Sequence, residues 1–318
     1  MSDGDAARHE PPDAMRAPRY TGVRTFARLP HTSDLDGVDV AVLGLPFDTG
    51  TSYRPGARFG PEAIRSASVL LRDHHPVQEV EVFSTLSVVD RGDAEAPPND
   101  IQRGLDVMAE AVGQIVAGGA IPLCLGGDHT VALAELRAIA KRHGPVGLVL
   151  LDSHADTWDS YFGERYFHGT PFRRAAEEGL ITPERSIMAG MRGSLYAPSD
   201  LADTRELGFE VIPWEELRHL ESDEYRARVL ERVGDGVAYM SFDVDFVDPA
   251  FAPATGTPEV GGPTSAEALD YVRALGGIEF RGFDVVEVSP PYDTAGQTTA
   301  LLAANVAYEL LALIAAGR

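Results

Sequence analysis

Short, wholly apolar runs alternate with helical patterns along most of this chain. Val146–Leu151 (VGLVLL) is typical, and it follows a segment with helical spacing of apolar residues, Ala132–Arg142. A strand that is apolar throughout is buried on both faces, and strands separated by helices usually pair in parallel. The pattern therefore predicts an α/β fold in which helices cover both faces of a parallel sheet.

The boundaries of the predicted elements follow from the same alternation. Helices are predicted at Asn99–Ala117, Ala132–Arg142 and Ala300–Ala316. The last of these is interrupted by polar residues and is short for a membrane span, so we interpret it as a core helix. Strands are predicted at Val38–Gly44, Ala120–Leu125, Val146–Leu151, Ser186–Ala189, Glu210–Ile212, Val237–Phe242 and Gly282–Val288.

The two ends of the chain differ in character. Residues 1–18 are polar and rich in proline, without the apolar stretch of a signal peptide, and we expect a mobile arm there. Residues 19–318 contain no linker, repeat or low-complexity segment. We therefore expect them to form one domain.

Charge and cysteine content narrow the function classes. The 27 Lys and Arg residues against 49 Asp and Glu residues give a net charge of −22, which argues against nucleic acid or an anionic membrane as partner. Cys124 is the only cysteine, so no intramolecular disulfide can form. A cytoplasmic location is expected on that ground.

Polar side chains follow three predicted strands, at the sheet edge where ligands of parallel α/β proteins bind. The segments are GGDHT (126–130), DSHAD (152–156) and DVD (243–245). If the strand period of two continues beyond Leu151, Asp152, His154 and Asp156 lie on one side. Ser153 then points away from them.

Several carboxylates aimed at one crevice repel one another unless a cation lies between them. An isolated Asp after a strand is usually a helix cap or turn residue, and Asp128 and Asp248 fit that role. Six candidate ligands suit two metal ions with bridging carboxylates, and oxygen-rich ligation with some imidazole and no thiolate favours Mn²⁺. The candidates are His129, Asp152, His154, Asp156, Asp243 and Asp245.

These segments resemble the motifs of the ureohydrolases, the arginase and agmatinase family. The similarity also includes HGTPF (168–172), GLPFDTGTSYRPGARFGPEAIR (44–65), SFDVDFVDPAFAP (241–253) and GFDVVEVSP (282–290), in the family's order. The motif usually written D-A-H-x-D has Ser153 at its second position here, and we expect this change to be harmless. The resemblance implies a three-layer α/β/α fold around a central eight-stranded parallel sheet, with two Mn²⁺ ions.

The resemblance also implies a role for each site residue. One ion would be held by His129, Asp152, Asp156 and Asp243, and the other by Asp152, His154, Asp243 and Asp245. His168 would relay a proton, Asp156 would also orient the nucleophile, and Glu287 would bind the substrate guanidinium. The implied reaction is hydrolysis of a guanidinium group to urea and an amine, for which a metal pair supplies hydroxide at neutral pH.

The substrate's other end is less well defined by the sequence. We favour agmatine, with 4-guanidinobutyrate, 3-guanidinopropionate and proclavaminate as close alternatives. Asp159 and Glu164 are candidates to contact an ammonium group, and Arg165 is a candidate to pair with a carboxylate. These side chains are equally compatible with a solvated loop.

Two other classes of function fit the sequence less well. A deacetylase-like hydrolase would usually use one zinc ion and lack a ligand equivalent to His129. A non-catalytic regulator that binds polyamine-like ligands would be expected to lose metal ligands or His168, and this chain retains them all. From the family we also expect a homo-oligomer, a trimer or a hexamer.

Overall fold

A computed structural model describes residues 9–318. Within them the strands are β1 (Val40–Gly44), β2 (His74–His75), β3 (Val80–Glu81), β4 (Val88–Asp93), β5 (Ile121–Leu125), β6 (Gly147–Leu151), β7 (Ile187–Met191), β8 (Glu210–Pro213), β9 (Ala238–Asp243) and β10 (Phe280–Val286). The helices are α1 (Gly60–Ala67), α2 (Val82–Thr85), α3 (Ile101–Ala117), α4 (Val131–His143), α5 (Pro171–Glu177), α6 (Asp200–Glu206), α7 (Trp214–Leu217), α8 (Ser222–Val233), α9 (Ser265–Arg273) and α10 (Thr298–Ala316).

Eight of these strands form one sheet in the order β4-β1-β5-β10-β9-β6-β7-β8. Every pairing in it is parallel. The short strands β2 and β3 form a separate antiparallel pair. The eight-stranded parallel sheet expected from the resemblance is therefore confirmed.

Successive side chains of the central strands enter two different hydrophobic cores. In β6, Leu148 and Leu150 pack with residues of α3, α4 and α5, whereas Val149 and Leu151 pack with residues of α1, α8, α9 and α10. Side chains alternate between the faces of a strand, so a strand covered by helices on both sides needs apolar residues at every position. This is why the VGLVLL pattern predicts the three-layer arrangement.

Helix α10 is the most apolar helix of the described chain. By length and composition it could cross a membrane, but 78% of its apolar window is buried within the fold. It packs on α1, α9 and β10. The interpretation of Ala300–Ala316 as a core helix is confirmed.

Strand β4 was not predicted from the hydrophobic pattern. Only Val88 and Val89 are apolar in a strand that continues through Asp90 and Arg91. Asp90 is nevertheless buried, because Arg65 of α1 donates to it from Nε (2.8 Å) and Nη2 (3.0 Å). Because Arg65 of α1 pairs with Asp90, a charged residue can be buried in this edge strand where the pattern would lead one to expect an apolar residue.

Part of the predicted N-terminal arm, residues 1–8, lies outside the described residues. At the start of the described chain the carbonyl oxygen of His9 accepts from the amide of Val88 (3.3 Å). The Arg28 side chain donates to the carbonyl oxygen of Ala17 (3.1 Å). Residues 9–18 therefore contact the body of the fold at β4 and near Arg28.

Candidate metal centre

Four adjacent strands in the middle of the sheet, β5, β10, β9 and β6, end at the same edge. The segments that carry the predicted site residues begin where these strands end. Parallel pairing thus brings together side chains that are far apart in the sequence. The site residues at or just beyond these ends are His129, Asp152, His154, Asp156, Asp243, Asp245 and Glu287.

The segment after β5 is held against the loop that follows β1. A Cβ atom at Gly127 would lie 1.7 Å from the carbonyl oxygen of Phe47, so only glycine fits there. The next amide, of Asp128, donates to that oxygen (2.7 Å). The Asp128 carboxylate accepts from the amides of Gly50 (2.7 Å) and Thr130 (3.0 Å), in keeping with the turn role considered for it.

The alternation predicted beyond β6 is wrong. The strand ends at Leu151, and Asp156 has a φ of 50°, so the backbone turns instead of continuing as a strand. The Ser153 hydroxyl donates to Oδ1 of Asp245 (2.6 Å) and lies 3.2 Å from Nδ1 of His154. The expectation that Ser153 points away from the ligands is therefore wrong as well.

A turn, rather than strand alternation, also brings Asp243 and Asp245 together. Asp243 is the last residue of β9, and a single 3-10 turn, Val244–Phe246, follows it. Oδ1 of Asp243 accepts from the Asp245 amide (2.8 Å), which stabilises the turn. Both carboxylates reach the same cluster as a result.

Two groups of ligand atoms form the site. Nδ1 of His129 lies within 3.3 Å of carboxylate oxygens of Asp156 (2.9 Å), Asp152 (3.1 Å) and Asp243 (3.3 Å). Nδ1 of His154, which is partly exposed, lies 3.0 Å from Oδ2 of Asp245 and 3.6 Å from Oδ1 of Asp152. His129, Asp152 and Asp156 form one set with the residue types and compactness to hold a metal ion, and Asp152, His154 and Asp245 form a second.

The electrostatics of the first group fit a cation. Nδ1 of His129 and Oδ2 of Asp152 are buried and make no hydrogen bond, which is costly for polar atoms unless something else satisfies them. Burial, together with repulsion from Asp152, raises the pKa of Asp156 to about 6. Burial and repulsion from Asp245 and Asp152 raise the pKa of Asp243 as well. A divalent cation would remove this repulsion.

A polar chain behind the site holds the His129 ring, and sequence reasoning missed it. The Ser241 hydroxyl lies 2.8 Å from Nε2 of His129 and donates to Oδ1 of Asp284 (2.7 Å), and Tyr239 donates to Oδ2 of Asp284. Ser241 and Asp284 lie opposite each other in the β9–β10 register. Polar residues within otherwise apolar strands were the signal in the sequence, since buried polar groups need partners.

His168 and Glu287 form a buried pair beside the carboxylates. Nδ1 of His168 lies 2.9 Å from Oε1 of Glu287, which also accepts from the His129 amide (2.8 Å). Although burial opposes it, the Glu287 carboxylate raises the pKa of His168 to about 9. The Ser52 amide donates to Nε2 of His168 (3.1 Å), which favours the neutral ring and opposes that rise.

The His168–Glu287 pair predicts a pH dependence of stability. The folded pKa of His168 is raised above its ordinary value of 6.5, so the pair's contribution is complete below about pH 6.5 and is lost as the pH rises through 9. We expect this contribution to the free energy of unfolding to fall by on the order of 2 kcal/mol. Urea unfolding of the metal-free wild type and of His168→Gln at pH 6.5 and 9.5 isolates the contribution of this pair. If the free energy of unfolding changes equally with pH in both proteins, the prediction is wrong.

A cavity of about 820 Å³ opens onto the site. The candidate site residues His154, Asp156, His168 and Asp243 are among the residues that line it. Four aromatic residues and two arginines also line it, namely Tyr53, Trp158, Tyr161, Tyr196, Arg54 and Arg192. It is large enough for a small organic substrate.

The candidate substrate-tail residues from the loop after Asp156 lie elsewhere. Asp159 and Arg165 are absent from the cavity lining. Oδ1 of Asp159 accepts from Arg174 (2.7 Å), and Arg165 donates to Glu177 (2.6 Å), so α5 neutralises both charges. Both partners belong to a helix that follows the loop, so the sequence of the loop alone does not show these ion pairs.

Comparison with known proteins agrees with this fold. The model of the arginase family matches residues 38–313. Guanidinopropionase of Pseudomonas aeruginosa is 47% identical, with 96% of each chain covered, and guanidinobutyrase of the same species is 44% identical, with 96% of this chain and 97% of that protein covered. The solved structure of proclavaminate amidinohydrolase from Streptomyces clavuligerus superposes with a TM-score of 0.90 at 42% identity, over 95% of this chain and all of that one. The chain belongs to the arginase family of ureohydrolases, as its motifs predict.

Proposed function

We propose that this chain is a binuclear manganese hydrolase that cleaves an ω-guanidino carboxylic acid, such as 4-guanidinobutyrate, to urea and an ω-amino acid. The observation that carries the proposal is the placement of His168 and Glu287 beside a compact group of carboxylates and imidazoles. A metal-binding cluster alone would suit many hydrolases. A buried carboxylate beside it suits a cationic guanidinium.

Glu287 is the residue that would bind the guanidinium. Its Oε2 atom is buried and makes no hydrogen bond, whereas Oε1 contacts both the His129 amide and the His168 ring. A Cβ atom at Gly256 would come within 3.1 Å of Oε2, so glycine keeps the space beside that oxygen open. A planar guanidinium would pair with it through charge-assisted hydrogen bonds and be held over the metal site.

His168 would supply the proton that the reaction needs. Hydrolysis forms a carbon–oxygen bond, breaks the bond from the guanidinium carbon to the substituted nitrogen, and releases that nitrogen as an amine. The nitrogen leaves readily only when it is protonated. His168 lines the cavity, and the Glu287 carboxylate favours its protonated form by raising its pKa, so it can donate a proton at that nitrogen.

The metal assignment follows from the donor set. His129, Asp152, Asp156 and Asp243 would hold one ion, and Asp152, His154, Asp243 and Asp245 would hold the other. When bound, the divalent ions acidify water and so supply a nucleophile at neutral pH. Carboxylates with two imidazoles and no thiolate favour Mn²⁺.

Arg54 is the reason to prefer a guanidino acid. It lines the cavity, and its guanidinium lies 5.5 Å from the ring centre of Tyr53 and 5.2 Å from that of Tyr292. Among residues 9–318 no carboxylate forms an ion pair with it. An uncompensated cation on the wall can pair with a substrate carboxylate. The names of the relatives reported above support the same substrate class.

Agmatine is the second candidate, because acidic side chains line the same cavity. Asp200 and Glu259 are both in the wall. Oδ2 of Asp200 already accepts from the amides of Tyr196 (3.0 Å) and Ala197 (3.3 Å), which leaves Glu259 as the better partner for an ammonium group. Agmatinase of Gallus gallus is 44% identical to this chain.

Urea release from the Mn²⁺-loaded protein tests the proposal, with 4-guanidinobutyrate, 3-guanidinopropionate, agmatine, arginine and guanidine in parallel. We expect the highest kcat/KM for a guanidino acid. Arg54→Met should lower that value by about tenfold to a hundredfold, because it removes a charged contact, and should not lower the value for agmatine. Equal losses for both substrates would contradict the role of Arg54.

The same assay separates the proposal from a non-catalytic function. If the protein binds two Mn²⁺ ions and releases no urea from any compound, the hydrolase proposal is wrong and ligand binding alone remains. The trimeric or hexameric state, expected from the family, and the cytoplasmic location, expected from the cysteine content, remain predictions. Sedimentation of the purified chain tests the first of them.

A further inference from the structure

We propose that Ser153 is a positioning residue that orients Asp245 toward the second metal ion, the one on the His154 side. This inference rests on the proposed binuclear function. It concerns a residue that departs from the D-A-H-x-D form of the motif, in which an alanine occupies this position. The departure adds one hydroxyl group at the metal site.

The two oxygens of Asp245 have different surroundings. Oδ1 accepts from both the amide (3.1 Å) and the hydroxyl (2.6 Å) of Ser153. Oδ2 lies 3.0 Å from Nδ1 of His154 and 3.5 Å from the hydroxyl of Thr257. Ser153 therefore occupies one oxygen and leaves the other facing the ligand atoms of the site.

The hydroxyl proton has one clear destination. Ser153 lies near both Asp245 and His154, but a serine has a single proton to donate. The contact with Asp245 is shorter, and a charged carboxylate is the stronger acceptor. Both residues are about 1% exposed, so water does not compete for this bond.

The bond bears on metal affinity because it holds a ligand in place. An alanine at position 153 keeps the amide contact but loses the hydroxyl contact, and Asp245 gains freedom to rotate. Loss of a hydrogen bond to a metal ligand typically weakens metal binding by about 10- to 100-fold. We expect a tenfold loss at the His154 side. The ion on the His129 side should change little, because His129 and Asp156 make no contact with Ser153 among the described hydrogen bonds.

Titration of the metal-free protein with Mn²⁺, following free Mn²⁺ by its paramagnetic resonance signal, tests the proposal without measuring activity. Ser153→Ala should bind one ion as the wild type does and the other about tenfold more weakly. Ser153→Thr keeps the hydroxyl that Ser153→Ala removes, so its affinity for the second Mn²⁺ ion should be close to the wild-type value. Ser241→Ala is a matched control, since it removes a hydroxyl that contacts His129 and should weaken the other ion.

Circular dichroism confirms in parallel that each variant folds. Unchanged affinities in Ser153→Ala would overturn the proposal. A loss that Ser153→Thr does not restore would also overturn it, because the effect would then come from packing rather than from the hydroxyl. A wild-type protein that binds fewer than two ions would instead refute the proposed binuclear function, so the two failures are distinguishable.

Discussion

Asp152→Asn should abolish metal binding at both positions and lower urea release by roughly a thousandfold or more. Asp152 has one oxygen 3.1 Å from Nδ1 of His129 and the other 3.6 Å from Nδ1 of His154, so its carboxylate reaches both histidines of the site. An asparagine keeps the shape but removes the charge and one acceptor. Inductively coupled plasma mass spectrometry after gel filtration measures the metal content, and a urea assay measures the rate.

Asp106→Asn is a suitable control for that experiment. Asp106 lies on α3 with its side chain 80% exposed, and its nearest cation is 3.9 Å away. Removing this charge should leave metal content at two ions per chain and activity within about twofold, since exposed charges contribute little. If Asp152→Asn retained both ions, the ligand assignment would be wrong.

Glu287→Gln should separate substrate binding from metal binding. We expect two ions per chain but a fall in kcat/KM of about 10²- to 10³-fold, because a neutral amide cannot compensate a guanidinium charge. Glutamine keeps an oxygen that can accept from the His129 amide, so the loop after β5 should stay in place. Michaelis–Menten analysis with the preferred guanidino compound, together with metal analysis, measures both effects.

Two further observations identify the cause of any loss in Glu287→Gln. Because Glu287 raises the pKa of His168, the substitution should lower that pKa, and proton NMR of the histidine ring in the metal-free protein can follow it. Glu178→Gln, which breaks a partly exposed pair with Arg137, serves as the control and should leave kcat/KM unchanged. Wild-type kcat/KM in Glu287→Gln would show that Glu287 only anchors the His129 backbone.

Much of the fold was predictable from local pattern. The strands β1, β5, β6, β7, β8, β9 and β10 all overlap predicted strands, because strands buried on both faces must be apolar throughout. Strand β4 was not predicted, because its buried Asp90 is neutralised by an ion pair with Arg65, which lies in another element. A contact between residues 25 positions apart leaves no trace in the local hydrophobic pattern.

The site was predictable in its composition but not in its geometry. The six candidate ligands were predicted from residue type, and the structure brings them together. The predicted strand alternation is not what makes them converge. Turns after β6 and β9, rather than continued strands, direct the side chains. Asp159 and Arg165 failed to reach the cavity because α5 supplies closer partners.

The sequence by itself determined the family, the layered fold and the set of candidate site residues, because those depend on residue type and spacing along the chain. Only the tertiary structure decided which charged side chains in the cavity lack an ion-pair partner among the described residues and which hydroxyls contact the candidate ligands. Within residues 9–318 Arg54 has no carboxylate partner, whereas Ser153 contacts Asp245 and Ser241 contacts His129 through packing of distant segments. Hydrogen bonds and ion pairs depend on distances of about 3 Å, and those distances are set by how the segments pack.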